Sequence, residues 1–140
     1  NIAIDYRCMA SEELAAIADY QHHFDVIYAS EVIEHVSDIK AFTETIAQLL
    51  APDGVVVITT INRTMPALLF AKFAAEYVLK IVPAGTHQFE KFVRPAELRA
   101  VFQECGILID DVTGFVPTPM GTFKMSPITA VNYGAAGSFT

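Results

Sequence analysis

Short apolar runs of strand length alternate with longer segments of helical composition along most of the chain. The apolar runs predict strands over residues 2–6, 24–29, 55–60, 107–116 and 123–133. The segments between them predict helices over residues 11–19, 31–50 with a break near Ser37 and Asp38, 66–81 and 95–105. Because strands that alternate with helices form a parallel sheet covered on both faces, the pattern indicates an α/β fold of one domain or part of one.

Capping and turn residues mark several of these boundaries. Ser11 is a candidate N-cap for the first helix. The turn sequence Pro52-Asp53-Gly54 leads into the β-branched run 55–60, which is typical of a strand buried on both faces. Pro95 opens the last helix and Gly106 ends it. Glycine and proline between the last two predicted strands indicate a short turn, so we expect an antiparallel hairpin at the edge of the sheet.

Composition and charge exclude several classes of function. The 140-residue chain is 53% hydrophobic and carries a formal charge of −7 without any basic stripe, which argues against a nucleic-acid partner. Its two cysteines, Cys8 and Cys105, lie far apart, so they indicate neither a disulfide framework nor a zinc site and fit a reduced, cytoplasm-like compartment. Because a strand is predicted directly after Asn1, we expect the chain to begin inside a domain.

The segment at residues 29–36 carries the most informative chemistry and reads ASEVIEHV. At about 100° per residue of an α-helix, Glu31, Glu34 and His35 fall within one arc, and the apolar side chains fall on the opposite face. The segment also begins at the carboxyl end of a predicted strand, where open α/β sheets bind their ligands. We therefore expect two carboxylates and an imidazole to meet at a ligand site.

Two neighbouring carboxylates repel each other, and a positive group is needed to offset the repulsion. A bound cation would do so, and a set of two carboxylates and one imidazole suits Mg²⁺, Mn²⁺ or Zn²⁺, with the harder ions favoured. The alternative is a solvated helix turn in which His35 offsets the charges of Glu31 and Glu34 without a metal. The residues alone leave both interpretations open.

The predicted helix 66–81 is apolar over most of its surface. Its charged residues Lys72, Glu76 and Lys80 are spaced by four and form one narrow stripe. These charges and the short length of the run argue against a transmembrane span. A covering helix in the core, a lid over an apolar substrate and a helix at a membrane interface all remain open.

Two loops carry further candidates for a functional site. Asn62 and Arg63 follow the strand 55–60 at its carboxyl end, so either could face a ligand or lie in an ordinary loop. His87 lies in a loop with Pro and Gly, where it could accept a proton or be an ordinary surface residue.

Four stretches of the chain carry a resemblance to a known family. They read FDVIYASEVIEHV (24–36), LLAPDGVVVITTINRT (49–64), AEYVLKIVPAGTHQFEKFVRPAEL (75–98) and VNY (131–133). Together they resemble the ubiquinone-biosynthesis O-methyltransferase family, whose members methylate polyprenyl catechols. The third stretch is the most specific. The resemblance covers essentially the whole chain, but only the later portion of the family.

This resemblance implies a Rossmann-like methyltransferase sheet, mostly parallel with an antiparallel C-terminal hairpin, in which residues 1–140 form the C-terminal portion. The family's Gly-rich loop and its ribose-binding acidic residue lie upstream, and none of the seven glycines here forms a G-x-G-x-x-G motif. We therefore expect the chain to lack the N-terminal βαβ part of the domain and to bind the cofactor poorly by itself.

The resemblance also implies S-adenosylmethionine as the methyl donor. Ser30 matches a position that contacts this cofactor, although the family often has Met there. Met9 and Ala10 match positions that line the adenine.

A divalent metal, Mg²⁺ above all, is the second implied cofactor, and Glu31, Glu34 and His35 match its ligands in the family. The metal would bind both oxygens of a hydrophobic polyprenyl catechol and lower the pKa of the reacting hydroxyl. In this mechanism His87 is an auxiliary proton acceptor.

The resemblance further implies a cytoplasmic location with peripheral contact to the inner membrane through residues 66–83, on the matrix side in a mitochondrion. Two other functions remain open. One is a metal-independent methyltransferase of the same fold that acts on another small molecule. The other is a non-catalytic half-domain that binds a membrane or completes the sheet of a partner chain.

Overall fold

A five-stranded mixed sheet lies at the centre of the fold. The computed structural model describes residues 3–69, 89–118 and 122–140. The strands are Phe24–Ser30 (β1), Leu50–Ile61 (β2), Ile107–Pro117 (β3), Phe123–Ser126 (β4) and Asn132–Phe139 (β5), in the spatial order β1-β2-β5-β3-β4. β1 pairs with β2 in parallel, and the other three neighbouring pairs are antiparallel.

Short helices and 3₁₀ turns connect the strands. The helices are Ser11–Ala15 (α1), Ile39–Leu49 (α2), Met65–Leu69 (α3) and Pro95–Glu104 (α4), and the 3₁₀ turns are Ala18–Tyr20, Ile33–His35 and Phe89–Lys91. The predicted break before α2 is confirmed, since the Asp38 carboxylate accepts hydrogen bonds from the backbone N–H groups of Lys40 and Ala41. Gly106 ends α4 with a φ of 78°, as the sequence predicted.

The two faces of the sheet differ in their cover. On the covered face, α2 and α4 pack through Phe42, Ile46, Leu98 and Phe102 against alternate strand residues such as Ile58. On the open face, the remaining alternate positions stay exposed, among them the large side chains of Val26, Tyr28, Val55, Leu108, Phe123 and Met125. The side chains of a strand point alternately to the two faces, so each strand contributes to both surfaces.

The predicted α/β class is confirmed, and so is the antiparallel C-terminal hairpin at the edge, formed by β3 and β4. The expectations of a mostly parallel sheet and of cover on both faces are not met among the described strands, where only the β1–β2 pair is parallel and one face is largely exposed. The single strand predicted over 123–133 is wrong, because β4 ends at Ser126 and β5 begins only at Asn132. β5 lies between β2 and β3, and its direction makes the sheet mixed. The hydrophobic pattern misses β5 because it is rich in glycine and alanine. A Cβ on Gly137 would lie 2.3 Å from the Leu108 carbonyl oxygen.

Three predictions near the start of the chain need correction. Residues 3–6, which are the described part of the predicted strand 2–6, do not form a strand. A strand requires a neighbour to pair with, and within the described residues β1 pairs only with β2. The helix predicted over 11–19 ends at Ala15 and is followed by a 3₁₀ turn. Ser11 is its first residue and not its cap, since the Glu13 carboxylate accepts from the Ala10 N–H.

The predicted helix 31–50 also begins later than expected. Glu31 adopts a left-handed φ of 53°, and a regular helix starts only at Ile39. Of the predicted helix 66–81, α3 covers the part up to Leu69, and the remainder lies outside the described residues. Among the helices that the structure describes, none is long and apolar enough to cross a membrane.

Candidate active site

The carboxyl ends of β1 and β2 lie side by side, with Ser30 opposite Thr59. The Ser30 and Thr59 hydroxyls share a hydrogen bond of 2.9 Å. The chain then leaves β1 through Glu31, whose backbone N–H donates to the Thr59 carbonyl at 2.8 Å. A left-handed φ is uncommon outside glycine and is often found at functional sites. The turn at Glu31 is therefore a candidate site feature.

Glu34 lies in the 3₁₀ turn that follows and is almost fully buried, with 4% of its surface exposed. The hydroxyl of Thr60, which is itself fully buried, donates to the Glu34 Oε2 at 2.8 Å. A buried carboxylate needs such a donor, because removing it from water is costly unless it is hydrogen-bonded. Thr60 thus supplies one of the contacts that make this burial possible.

The carboxyl groups of Glu31 and Glu34 meet, and we call them the carboxylate pair. Partial burial, which disfavours the charged form, and then the neighbouring negative charge of Glu34 together raise the pKa of Glu31 to about 7. A hydrogen bond to Glu34 also favours the protonated form, whereas hydrogen bonds with Thr59 and Asn132 favour the charged form. Glu31 therefore carries a proton over much of the range below about pH 7.

The two members of the carboxylate pair line different clefts. Glu31 lines a cleft of about 550 Å³ on the open face, together with Tyr28, Ser30, Thr59, Phe115, Phe123 and Asn132. We call this the open-face cleft. Glu34 lines a cleft of about 820 Å³ next to α2 and α4, whose apolar side chains are Ile33, Val36, Ile39, Phe92, Val93 and Val101. We call this the helix-side cleft. The pair thus lies between two concave surfaces.

The sequence prediction that Glu31 and Glu34 come together is confirmed, but the helical geometry used to derive it is wrong. A left-handed residue and a 3₁₀ turn bring them together, because Glu31 lies outside any helix. His35 is exposed, and in the described part of the chain no three His, Cys, Asp or Glu side chains form a group that could hold a metal. The carboxylate pair fits a hard cation by charge and donor type, while the structure does not gather His35 with it.

The residues predicted to bind the cofactor are divided between two places. Ser30 lines the open-face cleft. Met9 and Ala10 line a separate cleft of about 410 Å³ that includes Phe24, at the opposite end of β1. The structure therefore does not bring Met9 and Ala10 together with Ser30. His87, the predicted proton acceptor, lies outside the described residues.

Asn62 and Arg63 have structural contacts. The Asn62 amide is buried and donates to the Thr129 carbonyl at 2.7 Å, which holds the loop before β5. Arg63 lines the helix-side cleft and forms an ion pair with Glu97 in the first turn of α4. Of the two, only Arg63 lines one of the clefts at the carboxylate pair.

Sequence reasoning missed the contribution of Thr59, Thr60 and Asn132. The two threonines end the β-branched run of β2, where Thr looks like any other strand residue. The available signal was polarity, since two hydroxyl side chains stand at the carboxyl end of an otherwise apolar buried strand. Asn132 lies more than 70 residues further along the chain, and only the pairing of β5 with β2 brings it to the site.

Comparisons with known proteins agree with this architecture. A family model described as a methyltransferase domain matches residues 2–110. A protein of Rhizobium etli named ubiquinone biosynthesis O-methyltransferase is 42% identical over 133 residues, which are 94% of this chain and 52% of its own length. A protein of Chelativorans sp. with the same name is 45% identical over 119 residues, 85% of this chain and 46% of its own length. The chain thus spans about half the length of these relatives, and their name confirms the family resemblance.

Solved structures confirm the fold. A methyltransferase of Thermotoga maritima, described as a possible histamine N-methyltransferase, superposes with a TM-score of 0.64 at 13% identity, covering 90% of this chain and 61% of its own. The trans-methyltransferase CalH, solved in complex with SAH, gives a TM-score of 0.63 at 15% identity, covering 97% of this chain and 36% of its own. At such low identity the likeness establishes the Rossmann-like fold and nothing about the substrate.

Proposed function

The chain belongs to the methyltransferase-domain family, and from this premise we propose that it is part of an S-adenosylmethionine-dependent O-methyltransferase acting on polyprenylated catechols of ubiquinone biosynthesis. The relatives of about 40–45% identity carry that name, which supports the choice of substrate class. The observation that carries the proposal is the carboxylate pair at the carboxyl ends of two adjacent parallel strands, the usual ligand-binding edge of an α/β sheet.

A catechol presents two adjacent hydroxyl groups, and the reacting one must lose its proton before it attacks the methyl group. Glu31 and Glu34 offer carboxylate oxygens at one point, beside which such a pair of hydroxyls would bind. A divalent cation held there, when bound, would supply positive charge that lowers the pKa of the reacting hydroxyl. We propose Glu31 and Glu34 as its ligands, with His35 as a third ligand that reaches the cation only if its exposed side chain turns toward the pair.

The two clefts suggest a division between cofactor and acceptor. Ser30 lines the open-face cleft, which supports an approach of S-adenosylmethionine from that side. The helix-side cleft has an apolar lining next to Glu34, which suits the ring and the hydrophobic tail of the acceptor. With the carboxylate pair between them, the chain would contribute mainly by positioning the two reactants in line. Met9 and Ala10 remain proposed adenine contacts, and His87 a proposed proton acceptor.

A long polyprenyl tail would keep the substrate at a lipid surface. We therefore extend the proposal to peripheral contact with the inner membrane through residues 66–83, whose apolar composition motivates it.

The test is a change of one carboxylate in the full-length protein. In Glu34→Gln, methylation of a catechol should fall by about 100-fold or more, since the neutral amide cannot balance a cation or accept from two hydroxyls equally. Glu44→Gln, an exposed glutamate on α2, is the matched control and should keep wild-type activity. Both are assayed with and without added Mg²⁺. Full metal-free activity of Glu34→Gln would refute the role of the carboxylate pair.

A metal-independent methyltransferase is the second candidate. The exposed position of His35, and the lack of a three-residue metal group in the described part of the chain, favour it. In this version the carboxylate pair would bind the catechol hydroxyls directly, with the proton of Glu31 in place of the cation. Treatment with a chelator separates the candidates, because it abolishes the activity of a metal-dependent enzyme and leaves the other unchanged.

A further inference from the structure

Thr59 and Thr60 are adjacent in β2, so their side chains point to opposite faces of the sheet. On the open face, the Thr59 hydroxyl shares a hydrogen bond with the Ser30 hydroxyl, and the Thr59 carbonyl accepts from the Glu31 N–H. Thr60 is hydrogen-bonded to Glu34 on the covered face. One dipeptide therefore contacts both glutamates, Glu31 through its backbone and Glu34 through its carboxylate.

We infer that Thr60 is a positioning residue, which fixes the Glu34 carboxylate beside Glu31; this inference rests on the proposed function. Thr60 is fully buried within the sheet and lines neither cleft at the carboxylate pair. Its effect on any ligand must therefore pass through Glu34. Without the hydroxyl, Glu34 would lose a donor that opposes its rotation away from Glu31.

The geometry around Glu34 supports this assignment. Glu34 stands in a 3₁₀ turn, whose backbone is less regular than that of an α-helix and does not by itself fix a side chain. The turn is tied to the sheet by the Glu31 N–H to Thr59 carbonyl bond, while the Glu34 carboxylate is tied by Thr60 at 2.8 Å. A hydrogen bond to a charged acceptor is stronger than a neutral one, so Thr60 is well suited to hold the rotamer.

Thr60→Val removes the hydroxyl at nearly constant shape, and Thr60→Ser retains it. In the full-length protein, Thr60→Val should lower kcat for catechol methylation by about 10–100-fold with little change in KM, because substrate does not contact Thr60. Thr60→Ser should recover activity to within about threefold of wild type. Thr45→Val is the matched control. Thr45 is also buried, but its hydroxyl donates to the Ala41 carbonyl within α2, and its loss should leave kcat unchanged.

A double-mutant cycle on stability tests the same contact without any assay of activity. In the wild-type background, Thr60→Val should raise the equilibrium constant for unfolding by about tenfold, since it leaves a buried carboxylate without its donor. In a Glu34→Met background the same change should be neutral or stabilising, because the hydroxyl has then already lost its acceptor. This cycle gives its answer even if the protein methylates no catechol, so the inference and the proposed function fail separately.

Three results would overturn the inference. They are wild-type kcat in Thr60→Val, a Thr60→Ser variant as impaired as Thr60→Val, and equal effects of Thr60→Val in the two backgrounds of the cycle.

Discussion

The covered face and the open face of the sheet are built from the same strands but differ in what surrounds them. Along β1, Ala29 packs into the core at 8% exposure, while Val26 and Tyr28 on the other side are each 63% exposed. The carboxylate pair repeats this difference at the strand end, since Glu34 is buried on the covered face and Glu31 lines the open-face cleft. Glu34 is therefore fixed by packing and by Thr60 at the wall of the helix-side cleft, whereas Glu31 is free to move in the open-face cleft.

This division has a physical advantage for a site. A buried carboxylate with a hydrogen-bond donor holds its position without reorganisation when a ligand arrives. A partly buried carboxylate can exchange its proton for a cation or for a substrate hydroxyl. The pair therefore combines a fixed member with an exchangeable one, and the two faces can be tested by matched changes.

The largest expected effect is a difference between the two faces in the unfolding free energy that is lost when a phenylalanine is truncated. Phe102 in α4 is fully buried on the covered face, and Phe123 in β4 is 67% exposed on the open face. Phe102→Ala should cost about 3–5 kcal/mol of unfolding free energy because it leaves a cavity in the core. Phe123→Ala should cost less than about 1 kcal/mol, since little packing is lost. Urea unfolding measures both, and equal costs would show that the open face is covered in the native protein.

A smaller effect concerns the pH dependence of stability. The pKa of Glu31 is raised from its ordinary 4.5 to about 7 in the folded state, so folding favours the protonated form. Its contribution to stability is therefore complete below about pH 4.5 and is lost as the pH rises through about 7. Because the side chain is partly exposed, we expect this loss to be about 1–2 kcal/mol.

Glu31→Gln should remove this dependence, because the amide does not titrate. The wild type should then be less stable than Glu31→Gln at pH 8 and equal to it at pH 4. Glu44→Gln, a change on the exposed side of α2, should leave the pH dependence of the unfolding free energy as in the wild type. Parallel profiles for wild type and Glu31→Gln in urea unfolding would contradict the raised pKa.

Much of the fold could be predicted from the sequence because its signals were local. Each signal lies within a few residues of the element that it predicts. Examples are the β-branched run of β2, the Asp38 cap of α2, and Pro95 and Gly106 at the two ends of α4. The hydrophobic pattern did not predict β5, because Gly134 and Gly137 interrupt it. Those positions need small residues because neighbouring atoms approach closely; a Cβ on Gly134 would lie 3.0 Å from the Phe115 ring.

The candidate site was predicted in part for the same reason. The spacing of Glu31 and Glu34 predicted two carboxylates close together, and the structure has them so. The left-handed backbone at Glu31 could not be predicted, since that residue is not glycine. Glu34 contacts Thr60 across 26 residues of sequence, and Glu31 lines a cleft with Asn132 across about 100, so both depend on strand pairing. Local patterns do not report such contacts.

The most direct measurement is a crystal structure of the full-length protein with S-adenosylhomocysteine and a short-tailed catechol, grown with Mg²⁺. We expect the catechol oxygens beside the carboxylate pair at the carboxyl end of β1, with the ring in the helix-side cleft. A catechol bound away from this end, with Glu31 and Glu34 turned apart into solvent, would contradict the proposed site.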